Sequence, residues 1–147
     1  MDVIAYTAEN GDLHIDVPNY SQGHTIESVS KTDAVPNSGH KIVDSTKMPN
    51  RLLRNAWKLN TDRVDIDIPK GKEIAHSLRR EARENALKDN VDLIKSDSAG
   101  IPLKAGSKSV AVAKSENSAY MEIDNAMQIE IDAATTESTL LSAINGI

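Results

Sequence analysis

Four histidines, two aspartates on one strand pattern and a single tryptophan flanked by arginines are the residues of this 147-residue sequence whose types could do chemistry or recognition. His14, His24, His40 and His76 share no metal-ligand spacing, and only Glu73 with His76 stands at a helical interval. A zinc site needs three or four donors converging on one ion, and a surface imidazole near an i−3 carboxylate is the commoner meaning of such a pair. Asp65 and Asp67 alternate on one strand face, where one carboxyl can act as acid and its neighbour as base. The same alternation arises whenever one side of a strand meets water, and that is the reading adopted. Lys70-Gly71-Lys72 lacks the remaining glycine and the Ser/Thr of a phosphate loop. Neither Gly-x-Ser-x-Gly nor Gly-x-Gly-x-x-Gly occurs. No catalytic residue, cofactor-binding residue or metal ligand is assigned, and enzyme readings come last.

Recognition is better provided for. Trp57 is the only large ring of its kind and reads first as the centre of an N-terminal core, although an exposed Trp also anchors interfaces. Arg51 and Arg54 beside it can grip a partner's carboxylates in bidentate fashion. Arg79, Arg80 and Arg83 lie on the polar side of the one basic stretch, residues 69–95, which carries 7 basic and 5 acidic side chains. These six residues form the candidate partner-binding set.

The elements that must position them follow from periodicity. Val3–Tyr6 and Leu13–Val17 read as two strands around Asn10-Gly11, a strong hairpin signal. Thr25 can cap a short helix running to Val35, with Ile26 and Val29 on one face. Pro36-Asn37-Ser38-Gly39 breaks the chain, and His40–Asp44 is a third strand. Trp57–Ile68 reads as a second hairpin, because Val64-Asp65-Ile66-Asp67-Ile68 alternates strictly. Pro69 suits the first turn of a helix, and an amphipathic helix is predicted over 70–96 through Ile74, Leu78, Ala82, Leu87, Val91 and Ile94. Residues 97–108 form a loop. A second helix over about 109–127 carries an apolar stripe of Val112, Ala119, Ile123 and Ala126, with Tyr120 and Met127 beside it. Gln128–Asp132 alternates like a short strand, and Thr136 caps a terminal helix over 135–144. The expected fold class is α+β: a small antiparallel β-rich module with one short helix over 1–68, then a helical hairpin and short C-terminal helix over 69–147.

Composition narrows the role. There is no cysteine, which excludes disulfide scaffolds, thiolate zinc sites and cysteine catalysis. No apolar run reaches the length of a membrane span, and the start, MDVIAYTAENGD, lacks the basic and continuous apolar stretch of a secretory signal. A protein made in a cytosol is expected. The net charge of −5 argues against a general nucleic-acid binder. Aromatics are 3% of residues with no Phe, so the core must come from aliphatic side chains and be thin. Thin cores are often completed by assembly.

Several segments also resemble a known family. TIESVSKTDAVP (Thr25–Pro36), IVDSTKMPNRLLRNAWKL (Ile42–Leu59), VDIDIPKGKEIAHSLRREAR (Val64–Arg83) and IDAATTESTLLSAI (Ile131–Ile144) occur in the order found in small proteins of tailed bacteriophages and prophages encoded among tail and tail-fibre genes. The resemblance spans most of the chain apart from about Asp97 to Gln128. Leu53 stands where a Phe is common in the family. The resemblance implies a non-enzymatic structural or adaptor component of a phage tail, at the baseplate or fibre end, made in the bacterial cytoplasm and located in the virion. Its implied partners are other tail proteins or copies of itself in an oligomeric assembly. A tail-fibre assembly chaperone and a small phage regulator or inhibitor of a host protein are the alternatives.

Overall fold

The structure, a computed structural model, describes residues 1–31 and 39–147. It is an α+β chain with a small antiparallel sheet region followed by long helices and a short C-terminal helix. It divides into two compact units, Met1–Gly71 and Lys72–Ile147.

In the first unit, β1 (Asp2–Thr7) is the middle strand of a three-stranded antiparallel sheet, between β2 (Leu13–Asp16) and β3 (Lys41–Asp44). That position explains why β1 reads Val-Ile-Ala-Tyr rather than alternating: a central strand covered on both faces is apolar throughout. Val3 and Ala5 pack with Val43 and Val64 on one face, with Leu13, Ile15, Met48, Trp57 and Leu59 around them. Ile4 and Tyr6 pack with Ile26 and Val29 on the other face, beneath α1 (Ile26–Ser30). The Asn10-Gly11 turn is a three-residue loop. The Ala8 N–H donates to the Asp12 carbonyl at 2.8 Å, and Gly11 takes φ +86°, which a side chain would strain. Thr25 caps α1 reciprocally with Ser28, as its type predicts; the part of the predicted helix beyond Lys31, and most of the Pro36–Gly39 breaker, lies outside the described residues.

The second hairpin is present as β4 (Trp57–Leu59) paired with β5 (Val64–Ile66). Before it, Arg51–Ala56 is a 3-10 segment with a kink at Leu53. Leu53 and Ala56 are fully buried and anchor that segment; burying a leucine completely stabilises by about 2 kcal/mol.

A helix α2 (Ile68–Ser98) begins in the first unit, with Pro69 in its first turn. The second unit holds the rest of α2, α3 (Val110–Ala133) and α4 (Glu137–Ala143). Side-chain bonds from α2 to α3 run in reverse order: His76 to Asp132, Arg79 and Arg83 to Asp124, Asn90 to Glu116 and Asn117. The two helices are therefore antiparallel. Gln128–Asp132 continues α3 rather than forming a strand, because a five-residue alternation cannot outweigh propagation of an existing helix.

The predicted stripe of α3 is also corrected. Val112, Ile123 and Ile129 are exposed, as are Ala119 and Ala126. The covered seam runs through Ala113, Asn117, Tyr120, Asp124, Met127 and Ile131, spaced 4, 3, 4, 3, 4, with Val110 and Met121 also half-buried. At the end of α3 the chain turns through Ala134 into α4, capped by Thr136 with Thr139, and buries Leu140, Ala143 and Ile144. No helix among the described residues is long and apolar enough to cross a membrane.

Candidate functional site

The first unit carries a groove of about 990 Å³, within the range of ligand-sized clefts. One wall is the Gly11 turn and β2, from Leu13 to Ile15, continuing to Val17. The other is the loop Met48-Pro49 and the 3-10 segment with Arg51, Arg54 and Asn55, followed by Trp57; Lys70 closes one side. Three of the six candidate partner-binding residues, Arg51, Arg54 and Trp57, thus meet on one concave surface.

Local physics places them. Asn50 accepts from the Leu52 N–H at 2.9 Å and starts the 3-10 segment. In such a helix residues three apart stand nearly above one another, the interval between Arg51 and Arg54. Both are exposed while Leu53 between them is buried. The indole N–H of Trp57 donates to the Asn50 carbonyl at 3.3 Å, which fixes the half-buried ring against the sheet core and leaves part of it lining the groove. Trp57 therefore packs against the sheet core, as the first of its two sequence readings expects, and also lines the groove. Among the described residues, no ion pair engages Arg51, Arg54 or Lys70. Asp12 is the one carboxylate on the groove among the described residues, and it accepts from the Asn10 amide at 2.8 Å. His14 lines the groove from β2 and stacks on Tyr6 across the strand pair, centroids 5.4 Å apart.

The other three candidates lie in the second unit and do not form one surface. Arg79 is buried and its guanidinium bonds Asp124; it is not available to a partner. Arg83 also reaches Asp124, at 3.3 Å, while lining a shallow mixed-charge groove with Glu84, Lys88 and Lys95. Arg80 is exposed. The reason is helical phase: Arg79 falls on the covered seam between α2 and α3, and a guanidinium there needs a carboxylate beside it. Asp124 was not singled out from the sequence. Its signal was the 3–4 spacing shared with Asn117, Tyr120 and Met127, masked because the central residue is charged.

The remaining chemical candidates have structural roles. Asp65 accepts from the Asn60 amide and from the Arg63 guanidinium, each at 2.8 Å. The Asn60 hydrogen bond first, then that from Arg63, holds its carboxyl below the usual carboxylate range. Asp67 begins α2: its carboxylate accepts from the Lys70 N–H at 3.3 Å and its carbonyl from the Gly71 N–H at 2.8 Å. His76 pairs with Asp132 at 3.0 Å rather than with Glu73. No group of three or more His, Asp or Glu side chains able to hold a metal occurs among the described residues. The arrangement the groove offers is one of unneutralised cations, a fixed aromatic ring and an apolar floor. Comparison with family models, with curated proteins and with solved structures yields no match to this chain.

Proposed function

We propose that this protein is a non-enzymatic adaptor that works through protein–protein contacts, as a structural component of a bacteriophage tail in the baseplate or fibre region. The observation that carries the contact reading is the convergence of Arg51, Arg54 and Trp57 on one groove, with neither guanidinium in an ion pair among the described residues. Arg and Trp are the residue types that dominate binding energy at protein interfaces, and a guanidinium fork gains most from a carboxylate. The assignment to a tail rests on the family resemblance of the segments from Thr25 to Arg83 and from Ile131 to Ile144. In that role the protein is made in the bacterial cytoplasm and retained in the particle. Mass spectrometry of purified virions from a phage encoding this chain tests it. Stoichiometric presence in the particle is expected, and absence overturns the structural assignment.

A further inference from the structure

The groove beside Trp57 has a second property besides charge: one of its walls is an open sheet edge. Among the described residues, β2 is an outer strand of the sheet, hydrogen-bonded only to β1. The Ala8-to-Asp12 hydrogen bond fixes the alternation of the ladder. His14, opposite Tyr6, and Asp16, opposite Ile4, direct their backbone groups to β1, so those of Leu13 and Ile15 face outward. No backbone bond from Leu13 or Ile15 to another segment is present among the described residues. The same two residues line the groove that holds Arg51, Arg54, Trp57 and Lys70.

We infer that the groove receives an extended acidic segment of a partner polypeptide, which adds to the sheet along β2 and places carboxylates against Arg51, Arg54 and Lys70. Strand addition supplies main-chain hydrogen bonds, and pockets for alternate side chains supply the selectivity. Charge decides the class of occupant. Among the described residues, three cations without ion-pair partners face the space, against a single carboxylate that already accepts from Asn10. Apolar side chains on the segment meet the floor of Leu13, Met48 and Trp57. An uncovered strand edge invites unspecific pairing, and the basic rim restricts it to acidic strands. This inference rests on the reading of the groove as a contact surface.

The test uses the full chain and the peptide acetyl-Glu-Val-Glu-Val-Glu-amide, with its Lys-for-Glu counterpart and an N-methylated version. Trp57 is the only tryptophan, so fluorescence excited at the red edge of the indole band, beyond tyrosine absorption, reports from the groove. Saturable change with the Glu peptide is expected, together with slowed amide exchange at Leu13 and Ile15. Binding should weaken by at least about tenfold when Arg51→Ala and Arg54→Ala are combined. Raised salt should weaken wild-type binding in the same direction, which keeps the idea testable if the double variant is poorly folded. No saturable change at millimolar peptide, equal binding of the Lys peptide, or unaltered exchange at Leu13 and Ile15 each overturns the inference. Virion proteomics is independent of these results, so failure here leaves the tail assignment standing, and the reverse.

Discussion

Asp124 is the charged centre of the seam between α2 and α3. Its carboxylate is almost wholly enclosed between Arg79 and Arg83, and Arg79 Nε already lacks a hydrogen-bond partner. Asp124→Ala leaves a buried guanidinium uncompensated, which costs about 3–5 kcal/mol. Urea denaturation followed by helical circular dichroism should show that loss. Replacing both partners, Arg79→Met with Asp124→Leu, should restore most of it, because the desolvation cost of the pair disappears with the pair. Asp65 offers a gentler test. The Asn60 and Arg63 hydrogen bonds lower its pKa in the folded chain. The stabilisation is therefore complete above the unfolded value of about 3.9 and is lost as pH falls through the lower folded value. Asn60→Ala should move the Asp65 titration upward, read from carboxyl chemical shifts against pH; an unchanged midpoint would remove the turn clamp as its cause.

At the scale of elements, the clearest lesson is the one-residue error in the phase of α3. The stripe read from hydropathy, Val112, Ala119, Ile123 and Ala126, is displaced by one position from the covered set Ala113, Tyr120, Asp124 and Met127. One residue is about 100° of rotation, enough to turn a core face outward. Hydropathy cannot detect a seam whose central residue is an ion, since its partner lies 45 positions away in the sequence. Local signals fared differently. The caps at Thr25 and Thr136 and the Asn10-Gly11 turn depend on neighbours within a few residues, and each appears where its chemistry places it. The alternation read over Val64–Ile68, by contrast, forms a strand only over Val64–Ile66, because Ile68 already opens α2. The Thr136 cap binds reciprocally with Thr139. Thr136→Ala should cost about 1 kcal/mol, visible as a lower urea midpoint with an unchanged slope.

Across the whole molecule, apolar surface is distributed unlike a conventional core. Ile123 is 60% and Ile129 69% exposed, while an aspartate and an arginine lie buried on the same helical pair. If α3 presents this face to water in the isolated chain, Ile123→Ser should change stability by no more than about 0.5 kcal/mol. A loss of the size seen for core truncation would instead mean that the face is covered in solution, and light scattering would then show the oligomer. The scarcity of aromatic rings is consistent with this distribution. Trp57 and Tyr6 serve the first unit's cores, and the second has only the half-buried Tyr120.

The partner-binding candidates divide along the same line. Arg51, Arg54 and Trp57 were legible because they sit within one short segment whose 3-10 spacing and buried Leu53 set their directions. The free edge of β2 was not legible, since which strand ends a sheet depends on how β3 returns to β1. The role of Arg79 was read in the opposite sense to its structure: a basic residue on a mixed-charge helix reads as solvated until its distant aspartate is known.

By itself, then, the amino-acid sequence determined the α+β order, the turns, the caps and the near-continuous apolar strand β1. These rest on backbone sterics and hydrogen bonds between residues close in the chain. Only the tertiary structure decided which face of α3 is covered, that Arg79 is spent on Asp124, and that two arginines and a tryptophan share a groove with an open strand. Each of those depends on contacts between segments far apart in sequence, where burial and ion pairing set the outcome and local propensity has no say.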